Sequence, residues 1–492
     1  MTPFILSIDA GTTGVTILLL LKNGKILNKY YREFTQHYPQ PGWVEHDGEE
    51  IWNVTRNLMQ SAFTDYSPNF CISIGITNQR ETTIIWNKKT GKAIYNAIVW
   101  QCRRTQDICQ DLSNSGYGDI IKQKTGLVID SYFSGTKIKW LLDNVKGART
   151  SAQMGNLAFG TIDSWLLWKL TGGKIHATDY TNASRTMIFN IDERQWDTDL
   201  LNILDIPINL LPEVRPSCGV FGTTEKKLFS VALPITGIAG DQQAALFGQG
   251  CFETGQTKCT YGTGCFLLTN TGSKRINSNS GSLTTLACNS EGLPVYAVEG
   301  SIFIGGAVIQ WLRDELQIIS DVSKTEEIAQ QVENSNGVII VPAFTGLGAP
   351  YWDMSARGTI SGLTRGSNRN HIVRAALESI AFQVNDLIDS IRSDIDWEIY
   401  SLQVDGGASA NNFLMQFQSD ILQLKIDRPL NIESTALGIG MLAGIGSGFW
   451  NNPKDLESIR ETDKIFEPVM DVQTRKSLLQ NWHQAIKRTC YN

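Results

Sequence analysis

The residues of this chain best suited to chemistry lie in two short Gly/Thr turns, one near its start and one about halfway along. Residues 4–21 read FILSIDAGTTGVTILLLL, and residues 256–269 read QTKCTYGTGCFLLT. In each, apolar or β-branched residues flank the turn, and Asp9 heads the first. Glycine has no Cβ to block close approach, so backbone N–H groups and hydroxyls of such a turn can crowd round a phosphate. One turn of this kind is weak evidence. Two predict a pair of lobes that grip one polyphosphate between them. Neither is a P-loop, because no GxxxxGK followed by Ser or Thr surrounds these glycines.

Elements of an α/β chain must position these turns. Residues 4–9, 15–21 and 25–31 are predicted strands, joined by the GTTG turn and by Lys22-Asn23-Gly24, an Asn-Gly hairpin signal. Asp47 is a candidate N-cap, with Glu50 three residues on as in a capping box. Ile51, Val54, Leu58 and Ala62 follow at helical spacing. Residues 71–77 (CISIGIT) and 82–86 read as strands, with Asn78-Gln79-Arg80-Glu81 at the bend between them. The stretch GIAGDQQAALFGQG (237–250) precedes the second turn, which places a domain boundary near residue 250. Leu402–Asp405 is a short strand leading into Gly406-Gly407-Ala408 and a helix that starts near Asn411. Only the opening unit has a visible echo in the second half.

Whole-chain properties bound the function. With 492 residues, and roughly 100–200 per domain, two to four domains with ample core are expected. The chain is 42% hydrophobic and 19% charged, as in ordinary globular proteins. A net charge of -6 argues against broad nucleic-acid or anionic-membrane binding, so any phosphate site is local. The nine cysteines form no CxxC pair, and Cys71 and Cys265 lie in apolar runs, which reads as buried thiols in a reducing cytoplasm. The apolar run 17–21 is far too short to span a bilayer, and no basic segment precedes it, so a cytoplasmic location without stable membrane insertion is expected.

Eight strings then occur in a fixed order: GWVEHD (42–47), NQRETT (78–83), VWQCRRT (99–105), YFSGTK (132–137), GIAGDQQAALFGQ (237–249), TYGTGCF (260–266), GLGAPYWD (346–353) and DGGASANNFLMQFQSD (405–420). Together they resemble the FGGY carbohydrate kinase family over nearly the whole chain, and within it the branch that phosphorylates glycerol. The resemblance implies an α/β fold of two ribonuclease-H-like, actin-like ATPase domains with an interdomain catalytic cleft. It assigns 1–249 to the glycerol site and first phosphate loop, and 250–492 to the second phosphate loop, the nucleoside site and a helical tail from about residue 448. The implied reaction is ATP-dependent phosphorylation of glycerol to sn-glycerol 3-phosphate with Mg²⁺, releasing ADP, in a homodimer or tetramer with no nucleic-acid partner.

The resemblance also distributes roles. Arg80 and Glu81 are a forked donor beside a carboxylate acceptor, suited to adjacent hydroxyls of a small triol. Taken alone, such a pair reads as a surface ion pair in a turn. Trp100 and Phe266 fall where the family places aromatic walls, and taken alone both read as core. Tyr132 and Gln242 complete the hydroxyl contacts. Asp241, flanked by small Ala239 and Gly240, matches the family's general base. Asp9 is the implied Mg²⁺ residue, acting through water. Gly11, Thr12, Thr13 and Gly14 on one side, and Gly262, Thr263 and Gly264 on the other, are the implied phosphate cradle. Gly306, Gln310, Gly407 and Asn411 match the nucleoside end, although Gly406-Gly407 taken alone is a simple strand-to-helix turn.

Two departures from the pattern stand out. The family's first loop usually reads DQGTTSSR, whereas here residues 9–16 read DAGTTGVT, so Thr16 stands where a phosphate-facing cation is usual. Losing one such charge costs on the order of a few kcal/mol of transition-state stabilisation unless something compensates. Residues 219–236 (GVFGTTEKKLFSVALPIT) hold no Arg or His and only two Gly, which supports neither fructose 1,6-bisphosphate binding nor His phosphorylation as regulation. The five histidines (37, 46, 176, 371 and 483) show no ligand-like spacing, so no zinc or iron site is expected. Two alternatives stay open: a kinase for another polyol or sugar such as xylulose, ribulose or gluconate, and a catalytically weakened actin-like nucleotide-binding protein.

Overall fold

A computed structural model describes residues 2–451, 454–457 and 459–490. The expected domain limits at 1 and 492, and residues 452, 453, 458 and 491 of the expected tail, lie outside the described residues. Two compact units are present, and they do not divide the chain at a single point. The first comprises 1–252, 284–296 and 434–460, and the second 253–283, 297–433 and 461–492.

The first unit is built on a six-stranded sheet. Its strands are β1 (Phe4–Ala10), β2 (Gly14–Leu21), β3 (Ile26–Glu33), β4 (Cys71–Asn78), β5 (Cys218–Thr223) and β6 (Pro234–Gly240), in the order β5-β6-β4-β1-β2-β3. The apolar runs of β1 and β2 are buried on both faces, as expected of central strands. Residues of the Gly48–Asp65 helix cover one face: Ile51, Val54, Leu58 and Ala62 are all buried with β1 and β2. The apolar Ser434–Gly446 helix covers the other, packing Leu437, Ile439 and Leu442 with Ile5 and Leu18.

Local expectations met different outcomes. Lys22-Asn23-Gly24 does turn, with Gly24 at φ 79°. Asp47 caps the helix, accepting the Glu49 N–H at 2.8 Å. The capping box does not close, because the Glu50 carboxylate turns to Thr35, accepting from its N–H at 3.1 Å and its hydroxyl at 3.0 Å. The strand expected at 82–86 runs instead Ile84–Asn87, since the Thr82 N–H is spent on the Arg80 carbonyl within the bend and Thr83 forms only an isolated bridge with Ile98.

The second unit carries β7 (Thr257–Tyr261), β8 (Cys265–Gly272), β11 (Ser401–Asp405), β12 (Lys425–Pro429) and β13 (Thr462–Phe466), with β9 (Leu283–Cys288) and β10 (Pro294–Ile302) forming a hairpin whose residues 284–296 group with the first unit. The sheet order is β9-β10-β8-β7-β11-β12-β13. The ladder of the first unit recurs here. β1 pairs β2 antiparallel and β4 parallel, while β7 pairs β8 antiparallel and β11 parallel. β6 and β12 then add in parallel, and β5 and β13 antiparallel. The long Arg369–Asp394 helix runs through this unit, with seventeen buried residues. All nine cysteines are free thiols, seven of them buried. Among the described residues no helix is long and apolar enough to cross a membrane.

Candidate active site

The expected hydroxyl-binding residues of the first unit converge. Arg80 and Glu81 follow β4 at the bend and are 2% and 1% exposed, so they are not a surface pair. Arg80 Nε lies 3.8 Å from Glu81 Oε1 and 3.3 Å from Asp241 Oδ1. Its Nη1 donates to Gln243 Oε1 at 3.1 Å, and its Nη2 to the Tyr132 hydroxyl at 3.4 Å. Tyr132 in turn packs edge-on to Trp100, with ring centroids 5.6 Å apart. Gln242 follows Asp241, and its N–H donates to Asp241 Oδ1 at 2.7 Å.

Burying an ion pair is costly unless every charge is matched. Arg185 supplies the match that sequence reasoning missed. Its Nε donates to Glu81 Oε1 at 2.6 Å, and its guanidinium lies 5.3 Å from the Tyr132 ring. Two guanidiniums and two carboxylates thus share one site, with Asp241 the most open at 25% exposure. Glu81 adopts φ 60°, an uncommon conformation for a residue with a side chain. It is held by hydroxyls of Thr83 and Ser134, which both donate to its carbonyl. Lys137 is fully buried and donates to the Tyr132 and Phe133 carbonyls, and burial pushes its pKa down to about 8.

Asp241 opens the Asp241–Gly248 helix directly after β6. The preceding Gly240 N–H donates to Thr181 Oγ1 at 2.8 Å, and Thr181 is itself held by buried Asp179. A Cβ at Gly240 would lie 2.7 Å from Arg80 Cγ and Cδ. Glycine there lets the Arg80 stem lie against the start of this helix.

The first Gly/Thr turn, Gly11 to Thr13, links β1 to β2. Asp9 sits near the end of β1, half-buried, and its ladder neighbours are Thr16 on β2 and Thr77 on β4. Thr16 pairs with Tyr31 on β3, and a Cβ on Gly14 would lie 2.6 Å from the Arg32 carbonyl oxygen and 2.9 Å from the Tyr31 hydroxyl. The glycine found where the family has serine thus makes room for the β3 backbone as well as this tyrosine. Among the described residues no group of three acidic, His or Cys side chains gathers as a metal cage. A single carboxylate at Asp9 fits Mg²⁺ that arrives with phosphate and keeps most of its waters.

In the second unit, Thr263, Gly306, Gln310, Gly407 and Asn411 line one cavity of about 680 Å³. Gly262, Ile309, Arg313, Glu326 and Leu377 also line it, and of these only Gly262 was anticipated. Apolar walls with a few polar groups suit a flat heterocycle and its sugar. Asn411 caps the Asn412–Leu422 helix, accepting from the Leu414 N–H at 2.9 Å, while its Nδ2 donates to Thr325 Oγ1 at 3.2 Å. Gly407 opens a short helical turn after β11, so the strand-to-helix turn and the cavity wall are the same residues. Phe266 lies on β8 and is half-buried.

Comparison with known proteins agrees over the whole chain. Residues 4–248 match the N-terminal domain, and residues 257–447 the C-terminal domain, of the FGGY family of carbohydrate kinases. The chain is 57% identical over 492 residues to a glycerol kinase of Thermoanaerobacter pseudethanolicus, covering 99% of each. It is 56% identical over 488 residues to a glycerol kinase of Carboxydothermus hydrogenoformans, covering 99% of this chain and 98% of that protein. Among solved structures it is similar to Plasmodium falciparum glycerol kinase with ADP, at 39% identity and a TM-score of 0.92, covering 100% of this chain and 99% of that one. A Lactobacillus acidophilus xylulose kinase shares the fold at 22% identity and a TM-score of 0.90, covering 100% of this chain and 99% of that one. The repeated sheet, the buried Arg80–Glu81 bend and the two family domains agree, and the chain belongs to the FGGY family of carbohydrate kinases.

Proposed function

We propose that this protein transfers the γ-phosphoryl group of ATP to glycerol, giving sn-glycerol 3-phosphate and ADP. The observation that carries the proposal is the buried cluster of Arg80, Glu81, Tyr132 and Asp241, which offers donors and acceptors at hydroxyl spacing with a carboxylate at its open edge. Arg80 and Glu81 hold the hydroxyls, Tyr132 and Gln242 add hydrogen bonds, and Trp100 and Phe266 cover the carbon chain. Asp241 accepts the proton of the attacking hydroxyl as the new O–P bond forms and the bond to the β-phosphate oxygen breaks. The transition state of such transfers is loose, so orientation and charge neutralisation dominate.

Thr12, Thr13 and Gly14 are assigned to the phosphates, and Thr263, Gly306, Gln310, Gly407 and Asn411, which line one cavity, to the nucleotide. Mg²⁺, when bound, neutralises phosphate charge, and Asp9 is the residue to hold it through water. The functional domains are proposed to run 1–249 and 250–492, in a cytoplasmic homo-oligomer. The relatives named glycerol kinase, at 57% and 56% identity, favour the triol over a larger sugar. A coupled assay of ADP release from ATP, with and without glycerol and against xylulose, ribulose and gluconate, tests this. Glycerol-dependent release is expected. Glycerol-independent hydrolysis, or a preference for a sugar, would overturn it.

A further inference from the structure

Behind the first phosphate loop runs a closed circuit of hydrogen bonds for which the reaction above names no purpose. Gln36 Nε2 donates to the Thr12 carbonyl and Gln79 Nε2 to the Gly11 carbonyl, each at 3.0 Å. His46 joins the two amides: its Nε2 lies 2.6 Å from Gln36 Oε1, and its Nδ1 lies 3.2 Å from Gln79 Nε2. Gln79 Oε1 accepts from Thr82 Oγ1 at 3.0 Å, and Thr82 Oγ1 accepts the Trp100 backbone N–H at 3.3 Å. Trp100 returns to the loop, donating its indole N–H to Thr12 Oγ1 at 2.9 Å.

The donors and acceptors allow one arrangement. A carbonyl only accepts, so both glutamines must turn their NH₂ groups to the loop. Gln36 then shows His46 an oxygen, and Gln79 shows it an N–H. The ring must donate from Nε2 and accept at Nδ1, which is the neutral Nε2–H tautomer. His46 is fully buried, and that burial holds its pKa down to about 3, so the ring stays neutral at ordinary pH.

Holding these carbonyls fixes the other side of the same peptides. In a planar trans peptide the C=O and N–H point in opposite directions. The Gly11 carbonyl shares its peptide with the Thr12 N–H, and the Thr12 carbonyl with the Thr13 N–H. With both carbonyls drawn back to Gln79 and Gln36, both N–H groups face away from the circuit. The next carbonyl, that of Thr13, accepts the Phe34 N–H at 3.3 Å, so three successive carbonyls of the loop are tied down.

We propose that Gln36, His46 and Gln79 are positioning residues for phosphate binding, which aim the Thr12 and Thr13 N–H groups at the terminal phosphates of the nucleotide. Thr82 and Trp100 tie the same loop to the hydroxyl-binding residues. The side chains of all three bond to the carbonyl side of the loop or to one another. The inference rests on the ATP-dependent activity proposed above.

Gln36→Glu tests it, keeping shape and an acceptor for His46 while turning an oxygen to the Thr12 carbonyl. His46→Phe removes both ring nitrogens and keeps an aromatic ring against Phe34, whose centroid lies 4.9 Å away. Calorimetric titrations with MgATP and with AMP, which lacks the terminal phosphates, separate loop geometry from general damage. Either variant should bind MgATP at least tenfold more weakly with AMP affinity unchanged, and kcat should fall with the glycerol KM within twofold. MgATP affinity within twofold of wild type, or an equal loss for AMP, overturns the proposal. Should one variant fail to fold, the other carries the measurement. If the wild type fails to phosphorylate glycerol, the functional proposal falls instead, and the MgATP-to-AMP ratio still decides the role of the circuit.

Discussion

Asp241 has a carboxylate at the first turn of its helix, 3.3 Å from Arg80 Nε and one quarter exposed. The guanidinium and the helix N-terminus both favour the ionised carboxylate, so the proposed base is free of a proton when the substrate hydroxyl arrives, at some cost in basicity. Asp241→Asn keeps the volume and the bond from the Gln242 N–H but loses the basic oxygen. It should lower kcat by ~100-fold or more while leaving the glycerol KM within a few-fold. Turnover close to wild type in a steady-state assay would remove Asp241 from the mechanism. Thr16 poses the opposite question, because it lacks a charge rather than carrying one. It lies beside Asp9 in the ladder and beside Tyr31 on its other side, and is 7% exposed. Directly paired residues share a face, so an arginine there would emerge next to the proposed Mg²⁺ carboxylate. Thr16→Arg should raise kcat by about tenfold, in line with one added charge at the phosphates. An unchanged kcat with unaltered ATP affinity would show that the position is already compensated, with Tyr31 the nearest candidate.

The bend after β4 and the start of the helix after β6 must meet to make the site, and Gly240 is where they touch. A Cβ there would sit 2.7 Å from the stem of Arg80, which is itself held by Gln243 and Tyr132 and has little room to retreat. Gly240→Ala should cost about 1–3 kcal/mol of stability by overpacking. It should also raise the glycerol KM at least tenfold while leaving MgATP affinity unchanged, as substrate titrations would reveal. An unaltered glycerol KM would mean that the guanidinium is not fixed by this contact. Much of this local architecture was legible in the chain. The alternation of apolar runs and Gly/Thr turns marked β1, β2, β7 and β8, and the polar string 78–81 marked the bend. Arg185 was not legible, because it reaches Glu81 across 104 residues and sits in no recognisable pattern of its own. Glu50 was misjudged for a related reason: a capping box needs only local spacing, but Thr35, fifteen residues away, competes for the same carboxylate. The Gln36–His46–Gln79 circuit was hidden in the same way, since its members come from three separate segments.

At the scale of the whole chain, sequence showed one echoed turn while the structure repeats a five-strand ladder. Side-chain identity drifted and the pairing order did not, because strand order depends on topology and burial more than on particular residues. The large core built this way also buries groups that titrate, and their signs differ. His176, at the back of the first unit, donates to the Phe159 carbonyl at 2.7 Å, and burial lowers its pKa from 6.5 to about 4. Between those values the unfolded chain binds a proton that the folded one refuses. Its stability contribution is therefore complete above about 6.5 and lost as pH falls towards 4. Asp163 runs the other way, since burial raises its carboxyl from 3.8 to about 6, so its contribution is present below 3.8 and lost as pH rises through 6. The wild-type profile mixes both, and a difference measurement separates them. His176→Gln keeps a donor for Phe159 and cannot ionise. Urea unfolding from pH 4 to 8 should show wild-type minus variant stability flat above 6.5 and falling below it by up to ~1.4 kcal/mol per pH unit. A difference that stays flat throughout would mean His176 titrates alike in the folded and unfolded chain. A difference that rises on acidification would mean the buried ring accepts its proton after all.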